Sequence, residues 1–111
     1  MFFMTLVDVL TKRVKISERS DYKEFENLTQ KIESLIGTRY EEATASKRID
    51  PDQIILISKE TGAYVLYEVR FDCHNIDLSL RVATNPRNRD DITSLETEVK
   101  YLNQELKEYI N

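Results

Sequence analysis

The run Tyr64-Val65-Leu66-Tyr67-Glu68-Val69-Arg70-Phe71, followed after a short polar break by Ile76-Asp77-Leu78-Ser79-Leu80-Arg81-Val82, decides the fold class. Apolar and polar residues alternate through both runs, the period-two signature of strands with one buried face. Pairing Phe71 with Ile76 aligns Val69 with Leu78, Tyr67 with Leu80 and Val65 with Val82, so an apolar ladder forms across the two strands. The same register sets Arg70 opposite Asp77 on the outer face, an opposite-charge pair that supports the choice.

Upstream, Ile54 to Lys59 reads as a preceding strand, joined through Glu60-Thr61-Gly62 with the glycine in the left-handed position of the turn. A three-residue loop of this kind places Ile57 opposite Val65 and Ile55 opposite Tyr67. Ile54 and Leu56 then fall on the second face of the sheet beside Tyr64 and Leu66, an apolar set to be covered either by the N-terminal segment folding back with Phe2, Phe3, Leu6 and Leu10 or by another molecule. The whole reads as an antiparallel β-meander, three-stranded or slightly larger.

Helices flank it. Tyr22, Phe25, Leu28, Ile32, Leu35 and Ile36 form one broad stripe, with Asp21 and Glu24 as an N-terminal capping pattern and Gly37 as the stop. Ile92, Leu95, Val99, Leu102, Leu106 and Tyr109 form another at three-four spacing, begun by Asp90 or Asp91. Leu6, Val9, Leu10 and Val14 suit a helix to about Arg13, against a competing strand signal from Val14 and Ile16 around Lys15. The stretch from Thr38 to Gln53, ending in Asp50-Pro51-Asp52, reads as a connection. The expectation is a single α+β domain over residues 1–111, in the order α-α-β-β-β-α, with Val69, Phe71, Leu78 and Leu80 packed on Phe25 and Ile32.

Composition narrows the function. With 41% hydrophobic and 32% charged residues the chain is neither disordered nor membrane-embedded, and its net charge of -4 argues against general nucleic-acid binding. The basic clusters Lys12-Arg13-Lys15 and Arg87 with Arg89 lack interleaved aromatics and read as solvated surface. No apolar run is long enough to span a bilayer, and Met1-Phe2-Phe3-Met4 lacks the basic region of a signal peptide. A lone cysteine, Cys73, fits a reducing cytoplasmic compartment and permits no internal disulfide.

Candidate chemistry is thin. Cys73 and His74 are adjacent, and neighbouring residues rarely bring a thiol and its base within hydrogen-bond reach. Glu41-Glu42 and Asp90-Asp91 sit where capping and solvation explain them, no metal-ligand spacing stands out, and two isolated glycines leave no phosphate loop. The expectation is therefore no catalytic residue, cofactor or metal. It is instead a protein-interaction module or small subunit of an assembly, binding another protein or itself through Ile54, Leu56, Tyr64 and Leu66, with Leu95 and Leu102 of the last helix as further candidates. A specific version is an acidic inhibitor or regulator, of the kind carried by viruses or mobile elements, that occupies a partner's basic site. The alternative is a small enzyme or ligand-binding domain with a pocket between helix and sheet, where Tyr67 is the best polar group.

Overall fold

The computed structural model describes residues 5–43, 53–84 and 91–110. It is an α+β fold built from strands β1 (Leu6–Lys15), β2 (Tyr40–Glu42), β3 (Gln53–Ser58), β4 (Tyr64–Phe71) and β5 (Asn75–Ala83) and helices α1 (Arg19–Leu35) and α2 (Asp91–Glu105). The order is thus β-α-β-β-β-β-α, in place of the expected α-α-β-β-β-α. A 3-10 turn, Lys107–Tyr109, follows α2. All neighbouring strands are antiparallel, in the sheet order β1-β5-β4-β3-β2, so the first strand pairs with the last.

The N-terminal segment is a strand because a bulge disguises its alternation. Asp8 pairs with Arg81 and Leu10 with Leu80, which leaves Val9 as an extra residue on β1. Val9 and Leu10 are consequently both buried, and together with Leu6 and Val14 they imitate a helical stripe. β2 escapes sequence detection because it is only three residues long and two of the three are exposed glutamates.

The β4–β5 register is the one that the alternation predicts, from Phe71 opposite Ile76 to Val65 opposite Val82. The β3–β4 register is not. Leu56 pairs with Val65 and Ile54 with Tyr67, one residue away from the expected alignment. Ser58 is the cause: its hydroxyl accepts from the backbone N–H groups of Glu60 and Thr61, at 3.3 and 3.1 Å, and its carbonyl accepts from Gly62. That arrangement draws Lys59 into the loop, while Gly62 takes the left-handed conformation at φ 78°. A slip of one residue exchanges the faces of a strand. Ile54 and Leu56 therefore belong to the core face, and Ile55 and Ile57 to the outer one.

Both helices lie on the same face of the sheet. α1 is tied there by an ion pair between Lys12 of β1 and Glu24, and α2 is joined to α1 by Lys31 and Glu105 at 3.2 Å. Phe25, Leu28, Ile32 and Leu35 of α1 and Leu95, Leu102 and Leu106 below α2 meet Leu56, Val65, Tyr67, Ile76, Leu78, Leu80 and Val82 of the sheet in one continuous core. Phe71, expected at its centre, is 66% exposed, because the β4–β5 hairpin ends in solvent at Asp72-Cys73-His74 while only Ile76 across from it is buried.

Replacing Phe71 by Ala should accordingly lower stability by less than about 1 kcal/mol, whereas Leu80→Ala should cost about 2–5 kcal/mol through lost burial and a cavity. Urea unfolding of the two variants reads the difference directly.

Candidate functional site

The strand registers arrange the outer face of the sheet in rows. Leu6, Ala83, Tyr64 and Ile57 lie across the sheet at one end, followed by Asp8, Arg81, Leu66 and Ile55. The next row is Thr11, Ser79, Glu68 and Gln53, and beyond it come Arg13, Asp77 and Arg70. Polarity thus grades along the strands, from an apolar end at Leu6, Ala83, Tyr64 and Ile57, bordered by Glu41 of β2, to a charged end at Arg13, Asp77 and Arg70. Ile55, Ile57, Tyr64 and Leu66 are each half-buried, and Leu6 is largely exposed. No described element packs over them, since both helices occupy the opposite face. The expected contribution of Phe2 and Phe3 to this face lies outside the described residues.

Of the residues expected to bind a partner, only Tyr64 and Leu66 stand on this surface. Leu56, Leu95 and Leu102 are buried in the core, and Ile54 packs against it. The displaced pair is replaced by its neighbours: Ile55 sits opposite Leu66 and Ile57 opposite Tyr64. Their signal was present in the all-apolar run Ile54-Ile55-Leu56-Ile57, which announces two apolar faces without telling which residue belongs to which.

The charged end is largely self-neutralising. Arg13 donates to both oxygens of Asp77 at 2.7 and 3.2 Å, and Arg70 pairs with Glu68. Lys12 is committed to Glu24 on the other face. The Nε of Arg81, beneath the surface of the second row, has no hydrogen-bond partner among the described residues. Arg87 and Arg89 lie outside the described residues.

A second polar cluster is buried. Glu98 of α2 is fully enclosed, and its Oε2 accepts from Arg39 Nε at 2.9 Å and from the Tyr40 hydroxyl at 3.1 Å. Its Oε1 accepts from the Thr61 hydroxyl at 3.3 Å, and the Arg39 guanidinium stacks 3.5 Å over the ring of Tyr101. This carboxylate fastens α2 to β2 and to the β3–β4 turn. In the sequence Glu98 stands between Leu95 and Leu102 at three-four spacing, which marks the buried side of the helix. Every donor around it is satisfied, so the cluster has the form of a structural clasp.

The Cys73-His74 pair occupies the β4–β5 turn. Asp72 accepts from the backbone N–H groups of His74 and Asn75 at 2.8 and 2.6 Å, which holds its carboxyl below the usual range. Cys73 and His74 line an open cleft with Lys15, Ile16, Ser17 and Asn75, and no Asp, Glu or further Cys or His lines it with them. Among the described residues no three of His, Cys, Asp and Glu converge as a metal site. No helix among them is long and apolar enough to cross a membrane. Tyr67 is packed in the core, where burial and then the charge of Glu33 push its phenol up to about 12.

Removing the Glu98 carboxylate by Glu98→Ala should destabilise the fold by about 3 kcal/mol, because it leaves the buried Tyr40 phenol and the part-buried Arg39 guanidinium without their acceptor. Glu98→Gln keeps one carbonyl oxygen to accept from Arg39 and Tyr40, while its amide N–H can donate to the Thr61 hydroxyl, and should be milder. Burial also raises the Tyr40 phenol, with the Glu98 charge adding to the shift. A raised phenol pKa favours the folded state fully below the ordinary value of 10.0, and that contribution is lost as pH climbs through the folded value of Tyr67, about 12. An ultraviolet titration of the tyrosines should therefore show Tyr40 and Tyr67 ionising together with alkaline unfolding. Comparison of the chain with protein-family models, with curated proteins and with solved structures returns no match in any of the three.

Proposed function

We propose that the chain is a non-enzymatic protein-binding module, a small subunit or regulator, that engages its partner through the outer sheet face around Ile55, Ile57, Tyr64 and Leu66. The observation that carries the reading is the two-layer build: both helices cover one face, and the other presents a contiguous apolar end with no described element upon it. Apolar patches of this kind on soluble domains mark interaction sites more often than idle surface. The graded polarity adds a rim of opposite charges beside the apolar area, the anatomy of a specific protein interface.

This surface favours contact through apolar side chains over a charge-driven blockade of a basic site. The net charge of -4 contributes solubility and long-range steering. The enzyme reading loses its best group, because Tyr67 is enclosed by packed side chains between sheet and helix.

Leu66→Lys and Ile55→Lys should leave circular dichroism unchanged and shift thermal melting by no more than a few degrees, since both side chains are half-exposed. Leu56→Lys, whose side chain is buried beside Val65, should unfold the chain. In affinity capture from the native host, a partner retained by wild type and lost by folded Leu66→Lys supports the proposal. A partner retained equally by both contradicts it.

A further inference from the structure

α2 carries an unused surface separate from the outer sheet face. Ile92, Glu96, Val99 and Asn103 recur at four-three-four spacing and share one stripe of the helix. Val7, Leu95 and Val99 form the floor of a groove between α2 and β1, with Glu96, Lys100 and Asn103 along its α2 side. Ile92 continues the stripe by one turn and is 49% exposed. β1 is an edge strand, so the groove opens at the border of the sheet.

Glu96, Glu98 and Glu105 flank the apolar seam of α2, and a parallel pair of such helices would bring acids close to acids. The fold withdraws two of them. Glu98 is inside, held by Arg39 and Tyr40, and Glu105 faces Lys31 of α1. Beside the groove this leaves Glu96 and Lys100, one of each sign, and neither makes an ion pair with any described residue.

We infer that the occupant of this groove is a second copy of the chain, docked α2 against α2 in antiparallel orientation about a two-fold axis near Val99. In that arrangement the axis lies level with position 98, so that Glu96 meets the partner's Lys100 and Lys100 the partner's Glu96, while Val99, one residue from the axis, packs beside its own counterpart. A two-fold interface must be complementary to itself, and this stripe is so in the antiparallel sense alone. A parallel pair would set Glu96 beside Glu96 and Lys100 beside Lys100. The dimer leaves both outer sheet faces free, so its failure and that of the proposed partner site are separable: Leu66→Lys should dimerise as wild type does.

The test is sedimentation velocity from low micromolar to on the order of 100 µM, the range in which a small interface of this kind associates. Wild type should pass from monomer to dimer. Glu96→Lys and Lys100→Glu, both at exposed positions, should each weaken the dimer about tenfold or more through like-charge contacts, with helicity verified by circular dichroism. The double swap Glu96→Lys with Lys100→Glu should recover it, and an equimolar mixture of the two single variants should form a heterodimer. A wild type that remains monomeric throughout, single variants that dimerise undiminished, or a double swap that fails to recover would each overturn the inference.

Discussion

Antiparallel pairing of β1 with β5 organises the molecule, because it brings the first strand to the last and leaves the intervening chain to fill the remainder of the sheet. The seam is closed at both ends. Thr5 N–H donates to the Thr84 hydroxyl at 3.1 Å while Thr84 N–H donates to the Thr5 carbonyl, and Ile16 N–H donates to the His74 carbonyl at the other end. With β1 held at one edge, α1 must cross the sheet to deliver β2 to the opposite edge, and it does so over the face that receives Phe25, Leu28 and Ile32. α2 joins it there. One face is thereby covered, and the other owes its exposed apolar end to the same topology. Contacts of such large sequence separation also imply slow folding relative to a helical domain of this size, since loop closure precedes the gain from pairing.

The buried Glu98 then sets how α2 is rotated about its axis. Its hydrogen bonds with Arg39, Tyr40 and Thr61 draw one side of the helix toward β2 and the β3–β4 turn. Leu95 and Leu102 follow it into the core, which leaves the Ile92, Glu96, Val99 and Asn103 stripe facing the β1 border. A packed leucine seam alone tolerates some rotation; a carboxylate with three specific donors does not. Structural polarity inside and interaction surface outside are in this way two consequences of one side chain.

How much of this was legible in the chain depended on whether local signals met an exception. The β4–β5 pairing was readable to the residue because two strands alternate without interruption across a short turn. The α1 stripe from Phe25 to Leu35 and its stop at Gly37, which takes φ 95°, were equally plain, whereas the helix begins at Arg19, ahead of the expected Asp21 cap, and Tyr22 is exposed. β1 was lost to a bulge that breaks the period at Val9, and the β3 register to a serine hydroxyl that lengthens a turn by one residue. Those two features are set by pairing partners and turn hydrogen bonds, and neither has a composition signature. Phe71 misled for a different reason: alternation gives the face of a strand but not where covering helices end. The outer site was half legible, with Tyr64 and Leu66 placed properly and Ile55 and Ile57 exchanged for their neighbours by the same one-residue slip.

That slip makes the central claim open to a direct measurement, because adjacent residues of β3 must differ sharply in access to solvent. Methyl NMR in the presence of a soluble paramagnetic probe separates them. The structure predicts strong broadening of the Ile55, Ile57 and Leu66 methyls, with Leu56, Leu80 and Leu28 protected. Protection of Ile55 and Ile57 equal to that of Leu56, or broadening of Leu56 in their place, would contradict an open apolar face on this sheet.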